Sequence, residues 1–219
     1  MSSYLGRIVA VGRTPGGRNV GVYRVSSRSF PNRRIGEVPG GLAVVPRAGF
    51  ESDVLRNPYI AYHCVRLAGP WAVLTNGSQT DPIAERLATG AGPKDALVWA
   101  MAALDYEKDS LRTPRIAAVV PRDGGSAWLA VVRHDALVVK EVVLEPGRMT
   151  YLSTYEANDV RPEQTVAIRT ERADELARAA CEGPGFDQFT HPVAAAAVVA
   201  ADEGFTSARY EVPTPDTAR

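Results

Sequence analysis

The sequence predicts an α+β protein built as one layered domain. Short apolar runs bounded by Gly, Pro, Asn and Asp fill both halves of the chain. A pair of helix-period segments lies between the halves, and a further amphipathic helix follows the second. No repeat and no linker composition interrupts the chain. Residues 1–212 are therefore read as a single domain and the proline-rich, polar residues 213–219 as a flexible tail.

In the first block, Tyr4 to Val11 reads as a strand. The Pro15-Gly16-Gly17 turn follows, and Val20 to Val25 completes a hairpin. The stretch Arg24-Val25-Ser26-Ser27-Arg28-Ser29-Phe30-Pro31-Asn32-Arg33 then leaves the strand end. Gly36 to Gly41 reads as a loop and Leu42 to Val45 as a short strand. Asn57-Pro58-Tyr59 opens a further element. Ile60 to Ala68 and Trp71 to Thr75 pair through Gly69-Pro70.

The helical pair comes next. Asn76-Gly77 signals a turn, and Asp81 is placed to cap a helix with Pro82 at its first position. Pro93 begins a second helix expected to run to about Asp109. Leu97, Met101 and Leu104 form its apolar stripe; Ala96, Ala100, Ala103 and Glu107 form a neighbouring small-residue face. Strands are expected at Arg115–Val120, Ala127–Val132, Leu137–Val143 and Met149–Ser153. Thr170 is read as the cap of a helix over Glu171–Glu182 with Leu176, Ala177, Ala180 and Cys181 inward. Pro192 to Ala201 reads as a buried strand or core helix, and Phe205 to Val212 as a last strand.

Composition narrows the chemistry. Lys+Arg and Asp+Glu both number 25, so no global field draws the chain to nucleic acid or an acidic membrane. Any anion site is local. No run reaches the length of a membrane span, and no signal peptide is evident at the N-terminus. Cys64 and Cys181 sit far apart in apolar patterns and read as core residues of a protein in a reducing interior. His63, His134 and His191 lack ligand-like spacing, so no metal site is expected. Walker and dinucleotide-binding fingerprints are missing from the sequence.

The basic stretch from Arg24 to Arg33 is the densest set of anion-binding groups. Each guanidinium offers a fixed fork of donors suited to phosphate or paired carbonyl oxygens. The same residues also read as a solvated basic loop. Glu107 is the candidate general base, or else one half of a helix-end salt bridge with Lys108 or an arginine. Tyr59 is placed to orient a ring or move a proton, or else fills core with its hydroxyl bound to backbone. Asn76 and Ser78 offer donors at a strand–helix junction, or serve ordinary turn chemistry. His191, before Pro192, is a further candidate; His134 reads as a surface residue and His63 as structural. Ser2 would become an N-terminal nucleophile if Met1 were removed.

Several motifs carry a resemblance. These are Tyr4-Leu5-Gly6-Arg7, the stretch from Tyr23 to Arg33, Arg56-Asn57-Pro58-Tyr59-Ile60-Ala61-Tyr62, Asn76-Gly77-Ser78 and Asp105-Tyr106-Glu107-Lys108-Asp109. Thr113-Pro114-Arg115-Ile116, Ser153-Thr154-Tyr155-Glu156 and Phe189-Thr190-His191-Pro192 complete the set. Together, and in this order from Tyr4 to about Val193, they resemble the archaeal-type IMP cyclohydrolase family. The chain departs from that pattern at Gln79, where a histidine is expected, and at the Pro15-Gly16-Gly17 turn.

The resemblance implies a four-layer αββα sandwich, Ntn-hydrolase-like, without autoprocessing. It implies closure of 5-formamidoimidazole-4-carboxamide ribonucleotide to inosine monophosphate, with no metal and no organic cofactor. It further implies a purine ribonucleotide as the small-molecule partner, a homo-oligomer, and a cytoplasmic setting without nucleic-acid or membrane partners. For the roles, Arg33 is expected near the formyl or carboxamide oxygen, Glu107 as base and Tyr59 as orienting or relay group. Ser26, Ser27 and Arg28 are expected at the phosphate, with Asn76, Ser78, Lys108 and His191 as further substrate contacts. The alternatives are an Ntn-type amide hydrolase using Ser2 and a non-catalytic purine-nucleotide-binding module.

Overall fold

The computed structural model describes residues 3–213. In chain order the strands begin with β1 (Ile8–Arg13), β2 (Asn19–Ser26), β3 (Arg33–Val38) and β4 (Gly41–Pro46). A short helix α1 (Asp53–Arg56) and a 3-10 turn over Pro58–Ile60 lead to β5 (Tyr62–Ala68) and β6 (Trp71–Thr75). Helices α2 (Thr80–Ala88) and α3 (Pro93–Leu104) precede β7 (Arg115–Pro121), β8 (Ala127–Val132), β9 (Leu137–Val142), β10 (Arg148–Ser153) and β11 (Thr165–Ala167). Helix α4 (Ala173–Glu182) precedes β12 (Pro192–Ala201) and β13 (Gly204–Glu211).

The strands form two antiparallel sheets. One has the order β11-β10-β1-β2-β12-β13, the other β3-β4-β5-β6-β7-β8-β9. Period-two alternation divides their side chains among three apolar clusters. Val9, Val11, Tyr23 and Val25 face Ile35, Val44, Leu74 and Leu129 between the sheets. Ile8, Val20, Val22 and Ala197 point the other way, onto Leu176, Ala177, Ala180 and Cys181 of α4. Val73, Ala117, Val119 and Ala130 pack on Ile83 and Leu87 of α2 and Leu97 and Met101 of α3. The layer order is thus helix, sheet, sheet, helix pair. The apolar run from Pro192 is a buried strand rather than a core helix, pairing with β2 on one side and β13 on the other.

The structure corrects several expectations. Gly36 lies within β3, and only Pro39-Gly40 turns, because β3 must pair with β4 to cover Ile35. Helix α2 begins at Thr80, whose hydroxyl donates to the carbonyl of Gly77 at 2.9 Å. Asp81 caps nothing; its carboxylate bonds Arg66 at 2.6 Å and the ring of His63. Helix α4 begins at Ala173, since Thr170 instead accepts from the backbone of Arg172 in a local turn.

The largest correction concerns α3, which ends at Leu104. Asp105, at φ 55° and ψ −173°, leaves helical space there. Glu107 is therefore not on the helix, and Ala103 and Leu104 are exposed. The loop after α3 is closed by Asp109, which accepts from the Thr113 backbone and hydroxyl at 2.8 and 2.7 Å. Strand β11, too short to show a periodicity, is an addition. Ser2 and residues 214–219 lie outside the described residues, so the nucleophile and most of the expected tail do too.

Candidate active site

One end of the sandwich collects most of the predicted residues. There β1, β3, β5 and β7 begin, and β2, β6 and β10 finish. Bonds between groups from the two sheets tie this end together. Arg7, just before β1, reaches Glu107 in the loop before β7. Tyr23 meets Tyr62 hydroxyl to hydroxyl at 2.5 Å, and Thr113 meets the Tyr155 hydroxyl at 2.9 Å.

Glu107 is only 1% exposed. Its backbone N–H donates to Thr113 at 2.9 Å, and one guanidinium nitrogen of Arg7 lies 3.1 and 3.0 Å from its two carboxylate oxygens. Burial pushes this carboxyl above the ordinary glutamate value, against the downward pull of Arg7 and then Arg115. For Arg7 burial acts downward, yet the attraction of Glu107 and smaller contributions leave its pKa raised. Lost hydration makes the Glu107 carboxylate more basic, and the charge of Arg7 beside it offsets part of that. Glu107 thus forms a salt bridge with an arginine, Arg7, and does so from the loop rather than from a helix end.

Gly6 makes this placement of Arg7 feasible. At φ 71° it has no side chain, and a Cβ there would lie 2.2 Å from the Thr154 hydroxyl and 2.8 Å from the Tyr155 ring. Its absence lets the chain pass close enough for the Arg7 N–H to donate to Thr154 at 3.1 Å.

Arg115 starts β7 and is 5% exposed. It donates to Gln79 at 3.0 Å, and its guanidinium carbon stands 5.6 Å from the centre of the Tyr59 ring. Tyr59 is half-buried on the 3-10 turn, where the Asn57 side chain accepts from its N–H at 2.9 Å. Arg33 opens β3 and is 2% exposed. Its Nε donates to the Phe30 carbonyl at 2.9 Å, and its charge bears on Tyr62. Arg7 Nε, Arg33 Nη1 and Arg115 Nε are buried N–H groups with no hydrogen-bond partner among the described residues. Of these, Arg7 and Arg115 act on the buried carboxylate of Glu107, and unpartnered guanidinium donors beside it suit an electron-rich, anionic small molecule.

The rest of the basic stretch separates by strand alternation. Arg24 points away from Tyr23, into the layer of α4. There it donates to the carbonyls of Ala180 and Phe186 at 3.1 and 2.9 Å and to that of Phe189. Ser26 accepts from Arg24, and the Ser27 hydroxyl accepts from Phe30. Arg28 lies over the Tyr4 ring at 4.0 Å, and Tyr4 also contacts the rings of Tyr155 and His191. His191 is exposed and sits at φ 55°. Asn76 bonds Ile116, Pro114 and Gln79, which ties the strand–helix junction. Ser78 at that junction is exposed. Lys108 faces solvent, paired with Asp105 and set over the Tyr106 ring.

A cleft of about 480 Å³ opens alongside, with Pro114, Arg133, Thr154, Tyr155 and Arg161 on its walls. Another, of about 340 Å³, lies between β9 and β10 at residues such as Lys140 and Arg148, and none of the predicted site residues lines either cleft. Among the described residues, no group of three or more His, Cys, Asp and Glu is gathered as a metal site would need. Nor is any helix long and apolar enough to cross a membrane. Arg7, Arg115, Tyr62 and Gln79 were not among the predicted site residues. For Arg7 and Arg115 a signal exists: each stands at the mouth of a run that begins apolar and buried.

The chain as a whole is similar to known proteins. Residues 4–204 match a family model described as IMP cyclohydrolase-like protein. An IMP cyclohydrolase of Methanothrix thermoacetophila is 43% identical over 207 residues, covering 94% of this chain and 98% of the relative. One from Halobacterium salinarum is 46% identical over 195 residues, covering 89% and 91%. One from Methanocaldococcus jannaschii is 39% identical over 202 residues, covering 92% and 96%.

Proposed function

The chain belongs to the IMP cyclohydrolase-like protein family, and on that premise we propose that it closes 5-formamidoimidazole-4-carboxamide ribonucleotide to inosine monophosphate with loss of water. This is a step of purine biosynthesis. The observation that carries the reading is Glu107, buried beside Arg7 and among unpartnered guanidinium donors.

In the reaction the carboxamide nitrogen bonds to the formyl carbon, and the former formyl oxygen departs as water. That water carries one proton from the carboxamide nitrogen and one from the formamido nitrogen. The substrate already supplies both reacting groups, so the protein's tasks are to hold the reactive rotamer, stabilise charge on the oxygen and move protons. Glu107 accepts the carboxamide proton. Arg33 directs its free Nη1 N–H to the oxygen that gains charge. Tyr59 orients the ring and relays a proton toward the leaving oxygen.

Arg28, with Ser26 and Ser27, holds the 5′-phosphate. Ser78, Lys108 and His191 give peripheral contacts, while Asn76 acts through the junction it ties. The two antiparallel sheets with helices on their outer faces support an Ntn-hydrolase-like fold, here without autoprocessing. We place the enzyme in the cytoplasm as a homo-oligomer.

An absorbance assay with the formamido precursor tests the reading. The chain should form inosine monophosphate, and Glu107→Gln should lower kcat by about 10²-fold or more with binding largely kept. Near-normal turnover by folded Glu107→Gln would remove Glu107 from the mechanism. Binding of inosine monophosphate without conversion of the precursor would leave only a nucleotide-binding module.

A further inference from the structure

We propose that Arg7 is a positioning residue for this reaction: its terminal nitrogen bridges both oxygens of Glu107 and holds that carboxylate, as an anion, in one orientation toward the substrate amide. The inference rests on the reading of Glu107 as the base.

The geometry is that of a clamp fixed at both ends. Arg7 is fastened to the end of β10, donating from its N–H to the Thr154 hydroxyl at 3.1 Å and accepting at its carbonyl from the Thr154 N–H at 3.0 Å. Glu107 is fastened to the strand mouth of the other sheet through Thr113. Between them one Nη2 lies 3.1 and 3.0 Å from the two carboxylate oxygens. No other side chain hydrogen-bonds Glu107 among the described residues. A carboxylate has about four lone-pair positions, so one shared donor fixes its plane and leaves others open to a proton.

A buried carboxyl with no cation nearby takes up a proton and is then no base. The charged groups acting on Glu107 are Arg7 from the approach to β1, Arg115 from β7 and Asp109 from its own loop. Arg7 in turn faces Tyr23 of β2, Tyr62 of β5 and Tyr155 beyond β10; Arg115 faces Tyr59 and Asp105. Of the two cations, Arg7 alone is hydrogen-bonded to Glu107. Its loss therefore favours the protonated acid, and the acid limb of the rate profile moves to higher pH.

The test is the pH dependence of kcat for wild type, Arg7→Met and Arg7→Lys, with Glu107→Gln as reference and the fold of each checked by circular dichroism. We expect the acid limb of Arg7→Met to move up by about one to three pH units, the range an opposite charge at this distance commands. Its rate should recover partly at alkaline pH. Arg7→Lys keeps the charge but not the planar fork. It should return the limb toward the wild-type position at a lower plateau, and it carries the test alone if Arg7→Met does not fold. A uniform loss of rate at every pH, with the limb in place, would overturn the proposal and leave Arg7 a structural tie. If instead Glu107→Gln turns over normally, the base assignment has failed, and that outcome is distinct from an unshifted limb beside an inactive Glu107→Gln.

Discussion

Arg24 is fully buried and donates to the carbonyls of Ala180, Phe186 and Phe189, so it joins β2 to α4 and to the segment that follows α4. Burial, which disfavours its charge, lowers its pKa, and nearby Cys181 acts weakly the other way. Arg28, four residues on, lies over the Tyr4 ring at the sandwich end, where its fork remains open to a ligand. The two arginines should therefore fail differently. Arg24→Met takes a charged donor from each of these carbonyls. It should cost about 3 kcal/mol or more, since bonds to a charged donor each contribute about 1.5–3 kcal/mol. For a chain of this size that lowers the melting temperature by roughly 6–12 °C. Arg28→Ala should melt near wild type and bind phosphorylated ligands more weakly. Calorimetry together with titration of nucleotide against nucleoside separates the cases; equal affinity of Arg28→Ala and wild type for nucleotide would take the phosphate away from Arg28.

At the scale of elements, the strand patterns in the sequence locate eleven of the strands now seen, one of them with a core helix as its alternative, because half-buried strands advertise themselves by alternation and turns. The sequence reading failed where tertiary pairing decides local structure. Gly36 looked like a loop but lies in β3, whose pairing with β4 overrides the glycine preference. Glu107 extended a helical small-residue face on paper. The backbone reverses at Asp105 instead, since the loop it enters gains the Asp109–Thr113 and Glu107–Thr113 bonds. Arg7 and Arg115 were invisible as partners because only the folded sheets bring them to Glu107. The junction between β6 and α2 illustrates the same dependence. A Cβ on Gly77 would stand 2.6 Å from Arg115 Nη1 and 2.7 Å from Gln79 Oε1, so the glycine there admits the arginine to its place. Gly77→Ala should displace Arg115 from Gln79 and from Tyr59 while the junction keeps its Asn76 ties. We expect kcat/KM to fall about tenfold or more, as small misplacements of a site do, with a melting temperature close to wild type. Unchanged kinetics in a folded Gly77→Ala would show that Arg115 need not sit where it does.

For the whole molecule, the relevant quantity is charge balance against charge placement. Lys+Arg 25 and Asp+Glu 25 cancel, so no long-range field gathers an anionic nucleotide from a distance. Many of the ion pairs join near neighbours on exposed surface, such as Arg148 with Glu145 and Arg178 with Glu182, and cancel locally. The arginines at the site differ: Arg33 and Arg115 are 2% and 5% exposed, and each keeps a buried N–H unpartnered. Capture should then depend on contacts made inside the site, where mobile ions screen little, rather than on attraction across solvent. Screening lengths shrink from about 14 Å to about 7 Å between roughly 50 and 200 mM salt. Over that range kcat/KM for the formamido precursor should fall by less than about threefold, whereas steered association loses rate steeply with ionic strength. Stopped-flow or steady-state rates across a salt series, at constant pH and with an inert neutral co-solute as viscosity control, measure the slope. A tenfold or greater fall would place substrate capture on exposed cations such as Arg28 and Lys108, and would demote the buried pair to organising the reaction after binding.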